Sequence, residues 1–262
     1  WVLKASLHVQ KDEYRAGLEA IDQAIEIAEE PRESWYRLKL GMLLELQDYR
    51  PAVAVAKHLI EVNAERKEYW SQLSGIYMEL DENENAMATL HLAYRRGLLD
   101  KGSEYTQLAG LLQQMEAPRL AAEVMQDGLA AGYVEQTANN WERTAGAWYQ
   151  AREMSRALAA YEQAGELSDS GKIDFQRASI LTAEEDWSGT LEAAARALEK
   201  GDLTESQEGN AHLLVGIAHF NMNNLNRAEQ AFKRAANYGT LRTAAREWLN
   251  HIEQTRQRLA SR

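Results

Sequence analysis

The chain has 262 residues, 45% hydrophobic and 26% charged, with a formal net charge of −11, three prolines and no cysteine. Disulfides, thiolate metal sites and thiol nucleophiles are therefore excluded, and the acidic balance argues against affinity won by neutralising phosphates, so nucleic acid is not an expected partner. No run of about 18 apolar residues occurs, so no membrane span is expected. Ala, Leu, Glu, Gln and Arg dominate, which predicts a chain that is nearly all helix. The charge is uneven. Residues 227–262 carry eight Lys/Arg against three Asp/Glu, which fits either a solvated terminal helix or a docking patch for an acidic partner.

Taken in chain order, the predicted helices come in pairs that repeat one pattern. The first pair spans residues 1–30, with Trp1, Ala5, Tyr14, Gly17, Ile21 and Ala24 in the pattern. The second, 33–66, uses Tyr36, Leu40, Leu43, Ala52, Ala56 and Leu59. The third, 67–100, is the clearest: Trp70, Leu73, Ser74, Tyr77, Ala86, Leu90 and Ala93 occupy positions 4, 7, 8, 11, 20, 24 and 27 of a unit. The same frame recurs over 102–135 (Tyr105, Ala109, Ala121, Gly128), 138–170 (Trp141, Ala145, Trp148, Ala157, Tyr161), 171–206 (Asp174, Ala178, Thr190, Ala197) and 209–239 (His212, Gly216, His219, Ala228, Phe232). The residues at position 20, from Gly17 to Ala228, are separated by 35, 34, 35, 36, 33 and 38 residues. A period in the mid-thirties is the mark of stacked helical hairpins. The physical logic is steric: small residues at 8, 20 and 27 let helices approach, and large ones at 4, 11 and 24 fill the gaps.

A last helix over 240–260 places Leu241, Ala245, Trp248, Ile252 and Leu259 on one face and is expected to cap the array. At the other end Trp1 already sits at position 4, which predicts that further repeats, an anchor or a signal precede it. Trp1, Leu3 and Leu7 would then present an edge for self-association. Gly97, Gly132, Gly201 and Gly239 at position 31 predict left-handed helix caps, with Leu98 and Tyr133 supplying the apolar residue that such a cap prefers. Long linkers are expected after Gly132 and Gly201.

Across the whole chain these residues resemble the tetratricopeptide-repeat family. The resemblance implies an all-α, right-handed superhelical solenoid of about seven helix-turn-helix pairs with a C-terminal capping helix, forming a single domain over 1–262. It also implies a non-catalytic scaffold that holds a protein or peptide ligand on the face lined by the first helix of each pair. Read onto the inward positions of those helices, the candidate partner-binding residues are Gln72, Met78, Gln107, Gln113, Gln114, Arg143, Tyr149, Phe175, Leu213, Phe220 and Asn221. Leu213 and Leu214 could instead be covered by the capping helix. Family members that clamp a carboxylate carry Asn at position 9 with Lys and Arg nearby. This chain has Gly41, Gly75, Gly110, Gly146 and Ser179 there, so the clamp is not implied. A glycine inside a helix costs about 1 kcal/mol relative to alanine. Either a smooth groove floor for a ligand backbone or tight packing between neighbouring first helices would account for the run.

Residues 68–99 ("YWSQLSGIYMEL", "LAYRRGLL") and 210–236 ("NAHLLVGIAHFN", "AEQAFKRA") are similar to the periplasmic repeat proteins found with TonB, ExbB and ExbD in gammaproteobacteria. That resemblance implies an accessory component of a TonB-dependent uptake complex located in the periplasm. The alternative is a generic adaptor for another envelope or cytoplasmic complex.

No enzyme signature stands against this. No GxSxG, phosphate loop or dinucleotide glycine pattern occurs, and no cofactor is expected. His212 and His219 share a helix face, but no carboxylate at helical spacing completes a ligand set, so packed histidines rather than a metal site are expected. The acidic groups at Asp81, Glu82 and Glu84, and at Glu184, Glu185 and Asp186, fall at predicted turns and read as solvated.

Overall fold

The computed structural model describes residues 1–261, and fifteen α-helices and one 3-10 turn, with no strand, account for its regular structure among the described residues. The helices gather into two compact units, Trp1–Val134 and Glu135–Arg262, divided between the fourth and fifth pairs. The first unit holds α1 (Val2–Val9), α2 (Tyr14–Ile27), α3 (Glu33–Glu45), α4 (Tyr49–Val62), α5 (Lys67–Glu79), α6 (Asn83–Arg95), α7 (Gly102–Gln114) and α8 (Pro118–Ala130). The second holds α9 (Ala138–Gln150), α10 (Met154–Glu166), α11 (Lys172–Ala183), α12 (Trp187–Lys200), α13 (Glu205–Asn221), α14 (Leu225–Ala235) and α15 (Arg242–Ala260). Within each unit every helix packs on the next in the chain.

The repeat frame is the core. Ala52, Ala86, Ala157, Thr190 and Ala228 at position 20 are wholly buried, as are Ala5, Ser74, Ala145 and Ala178 at position 8. Ser74 shows how close the two helices of a pair come: its hydroxyl donates 3.0 Å to the Ala86 carbonyl across the hairpin. Where glycine takes a small position the reason is contact. A Cβ on Gly216 would stand 2.4 Å from the Phe232 ring, and one on Gly128 would meet Val134 at 2.7 Å and Tyr105 at 2.9 Å. Large side chains fill the remaining space, with Trp148, Tyr161 and Phe232 all essentially inaccessible.

Each first helix ends in the same turn. Asp12, Gln47, Asp81, Glu116, Arg152, Glu185 and Asn223 all have φ between 55° and 61°. The following amide then reaches back five residues, as in Glu82 N–H to the Tyr77 carbonyl and Ala117 N–H to the Leu112 carbonyl. These are Schellman caps built on non-glycine residues. The glycines expected to cap second helices in the left-handed conformation do so at Gly97 and Gly132, both with positive φ, where the Leu98 and Tyr133 amides close the turns on Ala93 and Gly128. Gly201 also has positive φ, but its ψ of −142° takes the chain out in an extended direction instead. Gly239 instead opens the 3-10 turn Gly239–Leu241.

The long linker expected after Gly201 is absent, because α13 starts four residues on at Glu205. Thr204 Oγ1 accepts from the Gln207 amide at 3.2 Å, and Gln207 Oε1 accepts from the Thr204 amide at 3.0 Å. This capping box adds a turn to the front of the helix. At the C-terminus α15 caps the second unit: Ala245 and Ile252 are buried, and Trp248 stacks on Phe232 with ring centroids 5.3 Å apart. Leu259 remains 54% exposed. Arg256, one turn earlier, already reaches Asn226 and Glu229 at the start of α14, so Leu259 lies past the end of the helix it would cover.

Candidate functional site

In the first unit the first helices α3, α5 and α7 present polar side chains, held by hydrogen bonds within each pair and between adjacent pairs. Glu33, in the first turn of α3, accepts from Arg66 Nη1 at 2.8 Å, Asn63 Nδ2 at 3.4 Å and the Tyr69 hydroxyl. The Tyr69 bond is the largest influence on the Glu33 carboxyl; desolvation opposes it, and the bonds from Arg66 and Asn63 add to it, so that the carboxyl is held below its ordinary range. Glu104, two pairs on, repeats the device. Its carboxylate accepts from the Asp100 and Lys101 amides at 3.2 Å and from the Ser71 hydroxyl, while Lys67 pairs with Asp100. A carboxylate at a helix N-terminus also meets the positive end of the helix dipole. Glu33 and Glu104 were not singled out in the sequence. Their place in the first turn of a helix was the available signal.

A cavity of about 650 Å³ opens between α3 and α5, lined by Arg37, Gly41, Leu44, Arg66, Tyr69 and Gln72 among others. Gln72 is exposed. Met78 is 39% exposed and its sulfur accepts from Gln107 Nε2, which joins two candidate residues across α5 and α7. Gln113 and Gln114 are exposed at the end of α7.

In the second unit Tyr149 and Phe175 line one cavity of about 560 Å³, with Glu142, Lys172, Gln176 and Ser179 also on its wall. Tyr149 is 45% exposed. Gln176 Nε2 donates 2.6 Å to the hydroxyl of the buried Tyr161; burial first, and then the charge of Glu142, raise the pKa of that phenol. Arg143 is exposed on α9. Leu213 and Phe220 are placed differently: both pack into the cluster around Phe232 and Ile252, with the Phe220 ring 5.4 Å from Trp248 and 5.1 Å from His251. The capping helix covers them. Asn221 is exposed and donates 2.9 Å to the Ile217 carbonyl of its own helix.

The glycines at position 9 resolve one of the two readings. A Cβ on Gly41, Gly75 or Gly110 would meet nothing within 4 Å, and one on Gly146 would meet only the Tyr161 hydroxyl at 4.0 Å. Packing between neighbouring first helices is therefore not why these residues lack a side chain.

His212 and His219 are half-buried. Burial, with Arg234 beside His212 and Arg227 beside His219, lowers both pKa values. Both effects favour the neutral imidazole. Among the described residues no group of three His, Asp or Glu side chains is arranged to hold a metal ion, and no helix is long and apolar enough to cross a membrane.

Helical hairpins repeated at this period, joined by small residues at fixed positions, define the fold of the tetratricopeptide-repeat proteins, and the solved structures agree. The chain is similar to the C-terminal part of a TPR repeat-containing protein from Cytophaga hutchinsonii, with 15% identity, a TM-score of 0.52, and 95% of this chain and 99% of that one covered. It is also similar to a chain in the structure of Naa15/Naa10 bound to HypK-THB, with 15% identity and a TM-score of 0.65, where 95% of this chain spans 38% of the other. No family model and no curated protein matches the sequence.

Proposed function

We propose that this chain is a non-catalytic scaffold that binds a protein segment along the face of its first helices. The observation that carries the reading is the run of position 9 glycines. Gly41, Gly75 and Gly110 each forgo about 1 kcal/mol of helix propensity at points where an added methyl group would meet open space. A backbone that must pass close to the helix surface supplies the missing reason. Within the first unit, Gln72 lines a cavity with Gly41 and the Met78–Gln107 contact lies near Gly75 and Gly110; within the second, the Tyr149–Phe175 cavity offers the same mixed polar and apolar recognition. The structural neighbour solved in the Naa15/Naa10 assembly with HypK-THB is consistent with a fold used for holding other chains, though fold does not by itself carry function.

Site-specific photo-crosslinkers at Gln72, Met78 and Tyr149 are expected to capture a partner, while one at Arg50, on a second helix, captures none. Equal capture from both faces would contradict the reading.

The narrower proposal, an accessory of a TonB-dependent complex in the periplasm, rests on the sequence resemblance of residues 68–99 and 210–236. Affinity capture from membranes tests it, since recovery of cytosolic partners alone would overturn it in favour of a generic adaptor. Self-association through Trp1, Leu3 and Leu7, which are 56%, 82% and 57% exposed, is checked by sedimentation of a Leu3→Glu, Leu7→Glu variant.

A further inference from the structure

Two grooves occupy the same place in the repeat frame, and they differ in chemistry. Each lies between consecutive second helices, over the positions 4, 7 and 11 of the first helix between them. In the third pair that floor is Trp70, Leu73 and Tyr77, and the groove holds about 300 Å³. In the seventh pair the floor is His212, Val215 and His219, and the groove opens to about 410 Å³. Smaller rings stand where the third pair has an indole and a phenol.

The rims diverge further. On α6 the third-pair groove is edged by Asn85 and Leu92; at the equivalent positions of α14 stand Arg227 and Arg234. Both arginines are exposed, and neither forms a salt bridge among the described residues, whereas their neighbours Lys233 and Arg256 are both tied to Glu229. The opposite rim is apolar: Leu191, Ala195 and Leu198 of α12. No carboxylate lines the groove, in a chain whose net charge is −11. His219 Nδ1, on its floor residue, is buried without a hydrogen-bond partner.

We propose that this groove is a second docking site, distinct from the first-helix face, for an acidic amphipathic segment of a partner protein. Arg227 and Arg234 are seven residues apart on one helix face, about 10 Å along the axis at 1.5 Å per residue. Two carboxylates a similar distance apart on a bound segment reach both guanidinium groups, and a guanidinium pairs with a carboxylate through two parallel hydrogen bonds. Apolar side chains between those carboxylates lie against Leu191, Leu198 and Val215. The charge selects the ligand, and the apolar wall gives it area to bury.

The test is selection of a random peptide library displayed on phage against the full chain, followed by affinity measurements on the enriched peptides. The expected result is a class with two Asp or Glu residues flanking Leu, Ile or Met. That class should bind at least tenfold more weakly to an Arg227→Glu, Arg234→Glu variant and to a His212→Trp, His219→Tyr variant that fills the groove as the third pair does. The arginines are exposed, so their reversal leaves the fold intact, and circular dichroism confirms it. The same peptides should bind a Tyr149→Ala, Phe175→Ala variant unchanged. Enriched peptides that are not acidic, or that ignore the arginine reversal, overturn the proposal. Acidic peptides sensitive only to Tyr149 and Phe175 also overturn it while leaving the first-helix reading in place.

Discussion

Lys200 donates 2.6 Å to the carboxylate of Asp174, a side chain with no solvent exposure at all. Arg196 takes the other oxygen through Nε at 2.9 Å, and Lys200 also reaches the Gly165 carbonyl at 2.5 Å. Asp174 stands at position 4, where the third pair has Trp70. The sixth pair thus replaces an aromatic plug with a buried carboxylate held by two cations from α12. Removing the carboxylate strands those cations, although each keeps about a quarter of its side chain in water. Asp174→Ala is therefore expected to cost about 3 kcal/mol, the low end for a broken buried pair. Hydrogen exchange should show the loss first in α11 and α12. Unchanged protection there would count against the network.

The left-handed turns make a prediction of opposite sign. A non-glycine residue in this conformation costs about 1–2 kcal/mol, and glycine loses about 0.5–1 kcal/mol to its own greater freedom. Gln47→Gly and Glu116→Gly are expected to stabilise the protein by about 0.5–1 kcal/mol each, read from urea denaturation. Gln47→Val should destabilise it.

Acid should loosen the first unit through Glu33. Its folded pKa is depressed, chiefly by the Tyr69 bond and then by Arg66, so the unfolded chain takes up a proton first as pH falls. The associated stability is complete well above the ordinary glutamate value and is lost as pH drops through that value toward the folded one. A Glu33→Gln variant should be less stable at pH 7 and show a flatter dependence between about pH 5 and 3. A thermal-melting series on both proteins checks this. Parallel curves would remove Glu33 from the acid response.

Much of the fold was legible because the repeat frame is steric. A small residue such as Ala86 or Ala157 marks where two helices touch, whatever surrounds it. Contacts that depend on charge across distance were not legible. Nothing local to Asp174 announces Arg196 and Lys200, 22 and 26 residues on, as its partners. The caps at Gln47 and Glu116 were hidden because their residues carry no turn signature, whereas Gly97 and Gly132 did. At the site, helical spacing placed Tyr149 and Phe175 on the faces that share a cavity. It could not decide that α15 would cover Leu213 and Phe220, since that depends on how Trp248 packs in three dimensions.

If a partner's chain runs over the first-helix glycines, a Gly41→Ala, Gly75→Ala, Gly110→Ala variant should lose it. With open space at all three positions, each methyl group should add up to about 1 kcal/mol of helix stability. Thermal melting and capture of a partner identified by the crosslinkers are to be measured on the same preparation. The expected result is a higher Tm together with at least tenfold weaker capture. A higher Tm with capture unchanged would contradict it, because the glycines would then have no bearing on what the face holds.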